Sequence, residues 1–139
     1  MFNLINQITR RIFIGEQSDA FNAEALQHHN INCVLSLLDH DSKEKAFLKK
    51  LKIRYVTIPA IETKNMEDFR EWLQLAAIKL DAILGQDFSK VLVHCEAGID
   101  RAPFVVALWF LHFTDLELSQ AYAIIKQRRK HIAEHYEWL

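Results

Sequence analysis

Residues Val91 to Pro103 read VLVHCEAGIDRAP, which sets Cys95 six positions before Arg101 at the junction of two apolar runs. Those residue types at that spacing suit phosphoryl transfer through sulfur. A thiolate is a strong nucleophile, and a guanidinium offers planar, bidentate donors to phosphate oxygens. The residues between them, Glu96, Ala97, Gly98, Ile99 and Asp100, can curl so that the N–H groups of Glu96 to Arg101 turn inward around an anion. A helix starting near Ala102 would add the positive end of its dipole, and the same field favours the thiolate at Cys95. Gly98 permits a backbone conformation that other residues resist, and Pro103 would sit in the first helical turn, where its missing N–H costs nothing. The bland alternative makes Cys95 an inert core thiol, His94 a satisfied core histidine and Arg101 a solvated side chain. It requires all three to fall into this context by accident.

The elements that must hold such a loop show as hydrophobic periodicity. Apolar runs at Arg11–Ile14, Cys33–Leu38, Ile53–Ile58 and Val91–His94 read as buried strands. Met66, Phe69, Leu73, Ala76, Leu80 and Ile83 recur at helical spacing, and residues 20–27 and 43–51 are shorter helical candidates. Phe104–Phe113 is apolar nearly all round, so a buried helix is expected there, and Leu118, Ala121, Tyr122 and Ile125 mark one face of the next. Trp72 and Trp109 fall within these apolar patterns and read as core residues. The alternation predicts an α/β fold, a single domain over residues 1–139 with a central, mostly parallel twisted sheet flanked by helices. The phosphate loop would lie between a central strand and a buried helix, beyond the carboxyl end of that strand, where ligands bind in such sheets.

The chain of 139 residues is 50% hydrophobic and 25% charged, which suits one globular core. A formal net charge of -1 gives no general pull toward nucleic acid or an anionic membrane. Cys33 and Cys95 make no disulfide framework, and with no signal peptide or long apolar run a reducing, cytoplasmic setting is the simplest expectation.

His94, Cys95, Gly98 and Arg101 match the H-C-x5-R signature of the protein tyrosine phosphatase superfamily, and the chain resembles its compact dual-specificity branch over nearly its whole length. The opening ITRRIFIGEQSDAFNAEALQHHNINCVLSLLD is similar to the strand, helix and strand that begin such catalytic domains, and AYAIIKQRRKH to the helix after the loop. Ala102 and Pro103 resemble the phosphatase of regenerating liver subfamily, whose prenylation cysteine is missing from the terminal Glu137-Trp138-Leu139, so no membrane anchor is expected. The resemblance implies a phosphocysteine mechanism with Cys95 as nucleophile and Arg101 with the loop amides as the phosphate clamp. No cofactor and no metal are implied; the substrate would be a phosphorylated protein, and a monomer is the simplest expectation. His94 would brace the loop.

Three departures from the family pattern carry functional expectations. The general acid is usually an aspartate about 30 residues before the cysteine; here Glu62 aligns, one methylene longer, against the alternative of a solvated loop carboxylate. Asp39, His40 and Asp41 are back-up candidates that read more readily as turn and capping residues. Ala102 replaces the usual Ser or Thr, whose hydroxyl helps the thiolate leave, so slow phosphocysteine hydrolysis is expected. Glu96 and Asp100 make the loop acidic, which disfavours polyanionic substrates unless both side chains point to the rim. Glu62 and Ala102 keep open a second class of function, a phosphate- or partner-binding module with negligible turnover.

Three further features read as structure. HIAEH, from His131 to His135, matches a zinc protease pattern but ends too near the terminus for a third ligand, and reads as a surface pair one helical turn apart. Lys126, Arg128, Arg129 and Lys130 read as a solvated basic helix end, with a secondary anion site as the alternative. Cys33 reads as a core residue, with a resolving thiol for Cys95 as the alternative.

Overall fold

A computed structural model describes residues 5–59 and 65–139. Five strands form one sheet: β1 (Asn6–Gln7), β2 (Ile12–Gly15), β3 (Cys33–Ser36), β4 (Arg54–Thr57) and β5 (Val91–His94). Their spatial order is β1-β2-β5-β3-β4, with β1 antiparallel to β2 and every other pairing parallel. Gly15 and Ser36 both pair with His94, so the carboxyl ends of β2, β5 and β3 finish level, with Cys95 just beyond them.

The strands divide their side chains by alternation. Ile12, Ile14, Cys33, Leu35, Val91 and Val93 face one way, onto the helices α3 (Met66–Leu84), α4 (Arg101–Phe113) and α5 (Leu118–Arg128). Phe13, Val34 and Leu92 face the other, onto Leu26 of α1 (Ala23–His28) and Leu48 of α2 (Ser42–Lys50). With helices on both faces, β5 is wholly buried, which is why it reads as an unbroken apolar run. Side-chain caps start the first three helices: Asn22, Asp41 and Asn65 accept from the Ala25, Lys43 and Glu67 amides at 3.0, 2.9 and 2.8 Å. Asp41 is therefore a capping residue.

Strand β5 runs as the sequence predicts, β3 and β4 are shorter than expected, and β2 is shifted by one residue, losing Arg11 and gaining Gly15. The Arg11 amide donates to Thr9 Oγ1 at 3.1 Å, and its guanidinium to the Leu84, Gln86 and Ser89 carbonyls. The helix expected over residues 20–27 is split by the Asn22 cap into a 3-10 turn, Gln17–Phe21, and α1. Strand β1 and a final 3-10 turn, Tyr136–Trp138, are too short for periodicity to reveal. Trp109 is partly buried, its indole N–H donating to Asp81 at 3.0 Å.

One sequence reading needs correction, and one alternative is excluded. Helix α5 ends at Arg128 and no helix covers residues 131–135, so His131 and His135 are not one turn apart on a helix face. Cys33 pairs with Val91, four residues before Cys95, placing the two thiols about 13 Å apart at about 3.3 Å per strand residue. That exceeds the reach of a disulfide, so Cys33 is a core residue rather than a resolving thiol. Among the described residues, no helix is long and apolar enough to cross a membrane.

Phe104 is fully buried on α4 and meets Trp138 edge-on at 5.5 Å. Phe104→Ala should cost about 3–5 kcal/mol of folding stability, measured as a shift in the urea midpoint with unchanged slope.

Candidate active site

The loop from Cys95 to Asp100 is shaped from outside. Cys95 O accepts from His94 Nδ1 at 3.1 Å, Glu96 O from the Gln17 amide at 3.0 Å, and Ile99 O from the Ala133 amide at 3.0 Å. Arg129 takes the two carbonyls between, donating from Nε to Gly98 O at 2.8 Å and from Nη2 to Ala97 O at 3.2 Å. Five consecutive carbonyls thus point into the scaffold. Among the described residues, none of the amides of Glu96 to Arg101 donates a hydrogen bond, and they are left facing the opposite side, as an anion cradle requires.

Gly98 is what allows the tight curl. Its φ is +68°, and a Cβ there would meet Gly15 O at 2.5 Å and Arg129 Nη2 at 2.6 Å. Conformation and space therefore both demand glycine at this position.

Arg129 is 2% exposed, against the sequence reading of a solvated basic helix end. Its third donor, Nη1, reaches Asn6 Oδ1 at 2.7 Å, so β1 and the end of α5 are tied to the loop through one guanidinium. Burial lowers its pKa, opposed by Asp19, Glu16 and Cys95, so a buried cation lies within electrostatic reach of the cysteine. Burial in turn raises the pKa of Asp19, opposed by the Glu16 amide and by Arg129 and His94. No sequence signal separated Arg129 from its exposed neighbours in KQRRK.

His94 is fully buried, and its Nε2 lies 2.9 Å from Oε2 of Glu44, itself 1% exposed. With Nδ1 committed to the Cys95 carbonyl, Nε2 is the ring nitrogen that engages the Glu44 carboxylate. Glu44 brings α2 to the loop, a role hidden in a lysine-rich helix; its one trace is the four-residue spacing to buried Leu48.

Arg101 opens α4 with an exposed side chain, its guanidinium carbon 5.5 Å from the Phe69 centroid and 5.7 Å from that of Trp72. Phe69 and Trp72 stack at 10°, giving the cation a flat aromatic support. Trp72, 6% exposed, donates its indole N–H to Pro59 O at 2.8 Å, anchoring the chain as it leaves the sheet beside this wall. Glu62, the expected acid, lies outside the described residues. Cys95 is 5% exposed and Ala102 wholly buried. Glu96 is exposed, and Asp100 directs its carboxylate to His135, 2.8 Å away. Asp39 and His40 are exposed, with His40 edge-on to Tyr55.

Comparison with known proteins gives a consistent result. Residues 12–139 match the family described as dual specificity phosphatase, catalytic domain. The chain is 27% identical over 135 residues to dual specificity protein phosphatase Mpk3 of Drosophila melanogaster, covering 92% of this chain and 30% of that one. It is 29% identical over 125 residues to dual specificity protein phosphatase 14 of Mus musculus, covering 90% and 60%. The chain thus spans about a third of the Drosophila protein and under two thirds of the mouse one. In fold it resembles the crystal structure of human DUSP28, with a TM-score of 0.77 at 14% identity over 99% of this chain and 89% of that one.

Replacing Arg129 with Met keeps the bulk but strands the Ala97 and Gly98 carbonyls. kcat/KM should fall at least about tenfold through the loosened loop, with the fold retained by circular dichroism.

Proposed function

The chain belongs to the dual specificity phosphatase catalytic-domain family, and from that premise we propose that it is a cysteine-dependent protein phosphatase acting on phosphotyrosine, with phosphoserine and phosphothreonine as slower substrates. The observation that carries this reading is the loop in which five outward carbonyls leave the amides of Glu96 to Arg101 unpaired among the described residues, directly after Cys95. A phosphate's equatorial oxygens would take those amides and the Arg101 guanidinium, while the Cys95 sulfur attacks phosphorus in line. The leaving oxygen takes a proton and departs; water then attacks phosphorus, releasing phosphate and restoring the thiolate.

Glu62 is the proposed proton donor. Pro59, three residues ahead of it in the sequence, is held by Trp72, whose ring lies beside Arg101, which supports an acid supplied from the chain that follows. A glutamate here, in place of the family's aspartate, supports a preference for aryl phosphates, whose leaving groups need little protonation. Ala102, which resembles the regenerating-liver subfamily at this point, provides no hydroxyl for the second step and supports slow turnover. A phosphorylated protein met in a reducing cytoplasm is the proposed substrate setting.

The deciding experiment is stopped-flow release of nitrophenol from para-nitrophenyl phosphate under reducing conditions with EDTA. A burst followed by slow turnover, abolished in Cys95→Ser, is expected. No release from folded wild type would overturn the hydrolase reading in favour of a binding module. Ala102→Ser should raise the steady-state kcat by about three- to tenfold while leaving the burst amplitude in place. Glu62→Gln should depress phosphothreonine peptide hydrolysis by about tenfold more than nitrophenyl phosphate hydrolysis.

A further inference from the structure

The segment after α5 brings a histidine onto the phosphate loop that the reaction above does not use. His135 donates from Nε2 to Asp100 Oδ1 at 2.8 Å and from Nδ1 to Glu137 Oε2 at 2.9 Å. Carboxylates only accept, so the two bonds together require protons on both ring nitrogens, an imidazolium. The ring lies flat on Trp138, with centroids 3.8 Å apart and planes 4° apart, which places a cation against an indole face. Trp138 meets Phe69 edge-on, and Phe69 supports Arg101, so the clamp and the phosphate-binding arginine share one aromatic wall.

The segment is anchored on three sides. The His135 amide donates to the Tyr122 hydroxyl at 3.0 Å, Arg70 to Glu137 O at 2.7 Å, and the Ala133 amide to Ile99 O at 3.0 Å. Asp100, by contrast, is 55% exposed and does not use its side chain to cap α4. It directly precedes Arg101 in the chain, and its influence can be weighed for a separation on the order of 7 Å from an anion held by the loop amides. At such a separation one uncompensated charge would weaken binding of a dianion about sevenfold in water-like surroundings, and more at a lower effective dielectric.

We propose that His135 is a positioning residue for anion binding: its imidazolium clamps and neutralises Asp100, so that the loop admits a phosphate dianion, and loss of that proton returns an uncompensated carboxylate to the mouth of the pocket. The proposal rests on the reading of the loop as a phosphate site.

Burial opposes the charged ring, but the bonds and charges of Glu137 and Asp100 outweigh it and hold the His135 pKa above its ordinary 6.5. The advantage is therefore fully present below pH 6.5 and is lost as pH rises through that raised value. The other charged or titratable groups around the ring are Tyr122 of α5, Arg70 of α3 at the Glu137 carbonyl, and Lys126 with Glu134 and Tyr136. Tyr122 and Tyr136 are raised from the ordinary tyrosine value, Tyr122 by burial and Tyr136 by its bond to Glu134, while Glu134 and Glu137 are lowered by their hydrogen bonds. His135 is thus the group of this cluster whose charge changes nearest neutrality, at a pH above 6.5.

The test is calorimetric binding of tungstate, a dianion whose charge is constant above that pH, to the full chain carrying Cys95→Ser so that the thiol does not titrate. Affinity should decline with rising pH in this parent. His135→Gln should bind about five- to fiftyfold more weakly at neutral pH, without the decline. Adding Asp100→Asn to His135→Gln should restore the parent's neutral-pH affinity, whereas loss of a merely structural contact would not be repaired by removing that carboxylate. A pH-independent parent, or a double variant as weak as His135→Gln alone, would overturn the proposal. Because tungstate binding needs no turnover, absence of nitrophenol release from wild type with this pattern intact would sink the hydrolase reading and leave the clamp standing.

Discussion

A backbone loop can present a row of amides to an anion only if its carbonyls are satisfied somewhere else, because an unpaired buried carbonyl is as costly as an unpaired amide. In this protein the guanidinium of Arg129 meets that condition for Ala97 and Gly98, at the point where the loop turns most sharply. The remaining carbonyls fall to His94, Gln17 and Ala133, groups from the central strand, from the turn after β2 and from the C-terminal segment. The anion cradle is therefore a property of the whole domain. Arg129 fixes two peptide planes and each other neighbour one, and the amides point inward by consequence.

The charges that do this work are buried together. Arg129, Asp19, His94 and Glu44 are each at most 5% exposed, and among the described residues no buried side-chain nitrogen or oxygen lacks a partner. A buried ion costs several kcal/mol unless paired and hydrogen-bonded, so this network tolerates little partial disruption. That supplies a physical reason for rigidity at a thiolate that must be held in line with its target.

The helical face of α3 serves two purposes. Leu73, Ala76 and Leu80 fill the core, while Phe69 and Trp72, one turn earlier, hold Arg101 and tether Pro59. The C-terminal segment closes the arrangement: Trp138 packs on Phe69 and Phe104, and His135 rests on Trp138 while gripping Asp100. The two acidic residues of the loop thus differ in circumstance, Glu96 being exposed and Asp100 held by an imidazole.

Local chemistry was legible in the chain alone. The run VLVH, a cysteine, a glycine and an arginine at set spacing, and an apolar helix behind them sufficed to place Cys95 at the end of a central buried strand, because period and residue type are local properties. Strand β5 and the long helix α3 emerged with bounds close to those observed, being the most strongly patterned segments. What the pattern could not carry were charged residues whose partners lie far along the chain. Arg129 looks like any member of KQRRK, Glu44 like any residue of a lysine-rich helix, and HIAEH like a helical pair. Their roles depend on contacts spanning 31, 50 and 35 residues, to Gly98, His94 and Asp100. Whether a charge is solvated or buried is decided by what packs over it, and hydrophobic periodicity records only where apolar side chains go. The cysteine and arginine of the proposed phosphate site could therefore be read from thirteen residues, while the groups that aim the loop around them existed only once α2, α5 and the C-terminal segment had folded against it.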